Sequence, residues 1–317
     1  MTTVTAKPTP APPPPSSRDG GHPGGRAGWF RRGADRFRRG SGRLWEASPL
    51  TYLALVVACL LSIFPIIWSF IVASRDNSAI YDIPPPLVPG GNFLDNTSRL
   101  LANEQASFLI GLVNSLFVST VVTISVVFFS TLAGFAFAKL RFRGANALLL
   151  VIVLTMMVPT QLGLIPLYMV MIELGWIGTL QAVIVPFLVK GFGVFLIRQY
   201  AQSAISDELI EAARVDGCST WRIYWNIVLP VLRPAAGVLG LLTFMETWNE
   251  FLWPYIVLDS NTPTVQVSLK ILSTGNYTTD YAQVFTGTAL AIVPLLLVFI
   301  VFGRQIIGGI MEGSVKS

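Results

Sequence analysis

Residues 211–230 read EAARVDGCSTWRIYWNIVLP, a charged stretch broken by one glycine between two long apolar runs. Just upstream, Ser206 suits a helix N-cap, and Asp207 and Glu208 suit the positive end of the helix dipole. The helix this predicts carries Leu209, Ala212, Ala213 and Val215 as small or apolar contact positions. Gly217 falls where a left-handed residue ends a helix cheaply. Ser219 or Thr220 then caps a second helix, WRIYWNIVL, and Pro230 and Pro234 set a turn into the next apolar run. The prediction is a helix–glycine–helix elbow. The whole segment, residues 201–234, is too short to build a core of its own, so both flanking runs must hold it.

Those runs identify the solvent. The chain has 317 residues, 53% of them hydrophobic and only 12% charged, and its mean hydropathy is +0.63. A bilayer core of roughly 30 Å asks for about 20 apolar residues in a helix. Six runs qualify, at about 51–73, 112–138, 147–172, 181–199, 235–258 and 282–302. They are too continuous for the alternating strands of a membrane barrel, and lipid forces backbone polar groups to pair internally, so helices are expected. Pro159, Pro166 and Pro186 are expected to kink theirs.

Charge orients the spans. With the N-terminus in the cytoplasm, the inner segments 1–50, 139–146, 198–234 and 303–317 hold 18 of the 22 Lys and Arg residues. Arg75, Arg99 and Lys270 fall outside, and Lys190 falls within a span. The excess of inner cations places both termini in the cytoplasm. The net charge of +5 therefore reads as topology and lipid contact, not as nucleic-acid binding. Residues 1–45 form a Pro-, Gly- and Arg-rich tail expected to be disordered. The first apolar run is longer than a cleaved signal's core and should remain as an anchor. Residues 46–105 then hold the first span and an external segment with room for a short interfacial helix. Asn96 there begins an Asn-Thr-Ser glycosylation pattern. The five-span core runs over 106–305, and a cytoplasmic tail over 306–317.

Cys59 and Cys218 lie in different phases and suggest no disulfide. The lone His22 is in the tail, and no metal-ligand cluster is expected. No GxxxxGK[ST] phosphate loop occurs, so any use of ATP must be made by another polypeptide.

The spacing EAA, three residues, Gly, nine residues, Ile, one residue, Leu-Pro is filled without gaps by Glu211, Ala212, Ala213, Gly217, Ile227, Leu229 and Pro230. It resembles the EAA loop of permease subunits of bacterial ATP-binding-cassette importers, and lies between the fourth and fifth spans as it does there. The competing reading is an ordinary amphipathic loop helix on the membrane surface. NSLFVS, FAFAKLRFRG, MMVPTQLGLIPLY and TWNEFLWPYIVL look like the carbohydrate permeases of these importers, and most like the maltose-type second subunit. The resemblance runs from about residue 45 to the end; GGIMEGSVKS departs modestly from the family's usual ending.

The resemblance implies an all-α membrane protein of the type I importer fold, with six transmembrane helices and a cytoplasmic coupling helix. Glu211 would contact a separate ATPase, Gly217 would form the elbow, and Ala212 and Ala213 would allow close approach. It further implies two ATPase copies carrying ATP-Mg, a second homologous permease, and an extracellular sugar-binding lipoprotein. This chain would bind no cofactor and catalyse no covalent step, and would reside in the bacterial cytoplasmic membrane.

Ionisable groups inside spans are costly and tend to face a cavity or a partner. Glu246, Trp248, Asn249 and Glu250 offer the acceptors, donors and aromatic face that a neutral sugar uses. Inter-helix bonding is the plainer role for them. Lys190 is expected to pair with Glu246 or Glu250 or to line the path, with Gln161 and Asn114 as weaker candidates. The alternatives are the same machine importing a polyamine, glycerol phosphate or another small solute, an ion-coupled transporter using Glu246, Glu250 and Lys190 as its relay, or a scaffold that moves nothing.

Overall fold

The computed structural model describes residues 48–274 and 279–314; the expected tail over 1–45 lies outside them. The chain divides, inside its first helix, into a unit of residues 1–62 and a unit of residues 63–317. That helix is α1 (Pro49–Ala73). Its first-unit part exposes Leu53, Leu55, Val56, Leu60 and Leu61, a surface suited to lipid and not to water.

In the second unit, a 3-10 turn (Asn77–Tyr81) and the short helix α2 (Phe93–Leu101) follow. Next come α3 (Phe108–Lys139), α4 (Ala145–Met157), α5 (Leu164–Glu173), α6 (Gln181–Ile184), α7 (Gly191–Ala204), α8 (Asp207–Val215) and α9 (Thr220–Ile223). A π-helical turn (Tyr224–Val228) leads into α10 (Leu229–Asn249). Helices α11 (Leu252–Val257), α12 (Val265–Ser273) and α13 (Tyr281–Ser314) complete the chain. Among the described residues five helical segments are long and apolar enough to cross a bilayer, and a sixth results if α4 and α5 form one bent span.

Helix α3 is the spine. It packs on α7, α10 and α12, and small residues set how near they come. A methyl group on Gly134 would lie 2.6 Å from Ile197 Cγ2 and 2.9 Å from the Arg198 backbone nitrogen. One on Gly193 would lie 2.2 Å from Ser130 Oγ, and one on Gly111 2.3 Å from Ser268 Oγ. Lipid offers no hydrophobic drive between helices, so such close van der Waals approach is what holds them. Gly134→Ala forces the α3–α7 backbones apart and should cost about 1–3 kcal/mol, read as a lower melting temperature in detergent. An unchanged melting temperature would show that this contact does not hold the bundle.

The interfacial helix appears as α2. Its Asn96 is not free for a glycan: the side chain is 1% exposed, and its amide donates to the carbonyls of Ala73 and Arg75, both at 2.9 Å. Thr286 of α13 also donates to Ala73, at 3.1 Å, so the end of α1 is sealed by side chains. An Arg99–Asp280 ion pair joins α2 to the start of α13.

Helix continuity departs from the apolar runs. The expected third span breaks at Val158–Pro159, and its halves are bent by 92°. Pro186 sits in a 3-10 turn (Val185–Phe187), after which Lys190 is extended, with φ −128 and ψ 130. Pro166 lies in the first turn of α5 and breaks nothing, because the missing N–H is an orphan there. Pro230 and Pro234 were expected to set a turn, yet the helical path from Thr220 to Asn249 is continuous. The π turn just before Pro230 shifts the hydrogen-bond register where proline would meet the preceding turn's carbonyl. The expected fifth span instead breaks later, at Glu250, whose backbone is extended.

Candidate functional site

Helix α8 is capped as the sequence predicts: Ser206 Oγ accepts from the Leu209 N–H at 3.3 Å. Gly217 has φ +76. The Gly217 N–H bonds the Arg214 carbonyl at 3.0 Å and the Cys218 N–H bonds the Ala213 carbonyl at 2.9 Å, the pair of bonds that defines a Schellman ending. Ser219, rather than Thr220, caps the next turn by accepting from the Arg222 N–H at 3.4 Å.

The elbow is pinned to the bundle on one side and bare on the other. Ile210 and Ala213 are buried in a core with Ala201, Ile205, Ile223, Tyr224 and Val228. Tyr224 and Thr131 share a buried hydroxyl–hydroxyl bond of 2.8 Å. Lys139, at the end of α3, pairs with Asp207 at 2.7 Å; the lysine side chain is 7% exposed and the aspartate 74%. Opposite, Glu208, Glu211, Ala212 and Arg214 are exposed, with Val215 88% and Trp221 57% exposed. Ala212 faces outward with Glu211, but Ala213 packs inward, so its small size serves the bundle. Ile227 and Leu229 are half-buried and Pro230 is exposed.

The Lys139 ammonium, by hydrogen bond and by charge, with Arg141 adding to it, holds the Asp207 carboxyl below the usual carboxylate range. An unfolded aspartate titrates near pH 4, so the clamp contributes fully above about pH 4 and is lost as pH falls through the lowered value. A spin label on Cys218, in a chain with Cys59 replaced by Ser, should gain mobility only below that pH. Asp207→Asn should show the mobile spectrum already at neutral pH. Equal spectra for both proteins at neutral pH would remove the clamp from the account.

A second site lies where helices break. Ser115, Ser119, Lys190, Glu246, Glu250 and Trp253 are among the residues lining a cleft of about 50 Å³ that opens to its surroundings. Lys190 Nζ and Glu246 Oε2 pair at 2.8 Å, with side chains 20% and 65% exposed. Glu250 accepts from the Trp253 N–H at 3.2 Å and so caps α11. Trp253 Nε1–H donates to the Ala182 carbonyl at 2.9 Å. Ser125 Oγ–H donates to the Leu188 carbonyl at 2.9 Å, holding the unwound segment before Lys190.

The other path candidates lie elsewhere. Trp248 is 2% exposed and stacks on Phe244 at 5.7 Å in the core. Asn249 donates to the Met245 carbonyl of its own helix at 2.8 Å, and Asn114 donates to the Pro263 carbonyl at 2.9 Å. Gln161 is exposed on the turn between α4 and α5. Sequence reasoning missed Ser115, Ser119, Phe187, Thr264 and Trp253 of the cleft wall. Hydroxyls in apolar runs also serve as helix glue and give no distinguishing signal.

Comparison with known proteins fits this architecture. Residues 127–307 match the family described as binding-protein-dependent transport system inner membrane component. The lactose transport system permease protein LacG of Rhizobium radiobacter is 37% identical over 266 residues, 84% of this chain and 95% of that one. The arabinooligosaccharides transport system permease protein AraQ of Bacillus subtilis is 31% identical over 271 residues, 83% of this chain and 94% of that one. The sn-glycerol-3-phosphate transport system permease protein UgpE of Yersinia pestis is 28% identical over 269 residues, 83% and 95% of the two chains. A crystal structure of a bacterial ABC transporter involved in the import of the acidic polysaccharide alginate superposes with TM-score 0.69 at 22% identity, covering 89% of this chain and 99% of that one. This chain belongs to the family of inner membrane components of binding-protein-dependent transport systems.

Proposed function

We propose that the chain is one permease subunit of an ATP-driven importer of a sugar or oligosaccharide in a bacterial cytoplasmic membrane. The observation that carries this is the elbow. Its base is fixed by Tyr224–Thr131 and Lys139–Asp207, while its outer face exposes Glu211, Val215 and Trp221, the last with its ring edge against Tyr224. A helix presented that way suits a groove on another protein. The partner is an ATPase, present in two copies that hold ATP-Mg. Glu211 and Ala212 meet it, and Gly217 sets the angle. A second, homologous permease completes the pathway, an extracellular lipoprotein delivers the sugar, and both termini face the cytoplasm. When the ATPases close, the elbows move with them and the spans change which side they open to.

Lys190, Glu246 and Glu250 lie on the cargo path. A neutral cargo is favoured over the glycerol phosphate of the UgpE relative, because the Lys190 charge is already taken up by Glu246. The test is energisation. Cells carrying the importer should stop accumulating sugar when ATP is depleted and continue when ionophores collapse ion gradients. Uptake lost with ionophores at normal ATP would instead make Lys190, Glu246 and Glu250 an ion relay.

A further inference from the structure

The cleft holds two hydroxyls that nothing in the fold uses. Ser119 Oγ and Thr264 Oγ1 are buried with no hydrogen-bond partner, and both residues line the cleft. The residues are 1% and 4% exposed. An idle buried hydroxyl forfeits its hydration, so it calls for an explanation. Their neighbours are engaged: Ser115 Oγ accepts from the Val265 N–H at 2.8 Å, and Ser125 bonds the Leu188 carbonyl. Three other idle hydroxyls are Thr123, Ser130 and Ser268; Ser130 and Ser268 press on Gly193 and Gly111, where close helix packing accounts for them, and Thr123 does not line the cleft. Thr264 meets Gly111 only through its backbone carbonyl, and neither the Ser119 nor the Thr264 hydroxyl makes such a contact.

The backbone around the cleft points the same way. Lys190 and Glu250 interrupt their spans with extended conformations, and both line it. Non-helical backbone at membrane depth persists only where protein buries it or where it lines a wet cavity. Binding sites of transporters are commonly built at such interruptions. The remaining wall is Val118, Val183, Phe187, Trp253 and Pro254, with Thr247 as a further polar residue. Polar groups converging beside an aromatic and aliphatic wall suit a hydroxyl-rich ligand.

Resting on the importer reading above, we propose that this cleft is a subsite for one unit of an uncharged saccharide. The Ser119 and Thr264 hydroxyls hydrogen-bond to the sugar, Phe187 and Trp253 form the wall against its C–H surface, and with Lys190 met by Glu246 the second carboxylate, Glu250, leaves the site without a spare cation. Because each charge of the pair is met by the other, an anionic solute gains no cation without displacing Glu246. The site therefore selects against acidic cargo.

The experiment is saturation-transfer NMR on the full-length chain in lipid nanodiscs, with lactose, arabinotriose and glycerol 3-phosphate as the ligands. Lactose or arabinotriose should bind the wild type, and glycerol 3-phosphate should not. Ser119→Ala with Thr264→Val should weaken sugar binding about tenfold, the loss expected from two hydrogen bonds. The same double variant should melt no lower than wild type without sugar, since it deletes idle polar groups; a merely structural role predicts a lower melt. Glu246→Gln should free Lys190 and admit glycerol 3-phosphate. Equal sugar affinity in the double variant, binding of neither neutral sugar, or glycerol 3-phosphate binding to the wild type would each overturn the proposal. ATP-driven uptake at the wild-type rate by the double variant removes the subsite and leaves the importer standing. Sugar binding by a chain whose uptake needs no ATP does the reverse.

Discussion

Gly217→Val should lower energised uptake about tenfold or more while the bundle stays folded. Gly217 has φ +76, and a Cβ there would meet nothing within 4 Å. The penalty is therefore one of backbone conformation and not of collision. A left-handed residue with a side chain costs about 1–2 kcal/mol, more when β-branched, and about 1.4 kcal/mol is a tenfold change in population. The Schellman bonds to Arg214 and Ala213 would yield first, swinging α8 relative to α9. The control is Gly217→Asn, which tolerates that conformation and should transport nearly normally. Initial rates of sugar uptake, beside the melting temperature of each purified variant, check this. Equal uptake by the valine and asparagine variants would mean that the elbow's angle is irrelevant.

The second large effect is at Lys190. Glu246 is 65% exposed, so solvent screens the pair and it stabilises the fold by only about 0–1 kcal/mol. Lys190→Met should leave the melting temperature nearly unchanged. It leaves Glu246 and Glu250 in the cleft without the ammonium that meets Glu246, and uptake should fall about tenfold, the 1.4 kcal/mol scale of a lost charge-assisted contact. Lys190→Arg should retain most of the rate. Should Lys190→Met and Lys190→Ala both transport normally, the pair has no part in the path.

The two sites differ in how much of them the sequence discloses. The elbow is local: a cap at Ser206, a stop at Gly217 and a cap at Ser219 each follow from one residue's chemistry, and each is found where expected. The spans are also local, since a run of apolar residues needs no partner to be recognised. Breaks are not. Val158–Pro159 ends a helix, while Pro230, just after a π turn, and Pro234, within the helix, pass through one. The interruption at Glu250 depends on a carboxylate capping α11 at Trp253, and it resets the helical phase. Trp253 is as buried as Trp248 and packs in a core of its own, but it borders the cleft and Trp248 does not. Ala213 shows the same limit. Its place in the EAA pattern suggests contact with a partner, and its burial in the core cluster of this chain is decided by tertiary packing.

The most direct measurement is purification of the tagged wild-type chain in mild detergent beside Glu211→Lys, with mass spectrometry of what co-elutes. The account predicts an ATPase and a second permease with the wild type, and loss of the ATPase alone with the variant. A wild-type chain that elutes by itself, and moves solute in vesicles without ATP, would contradict it.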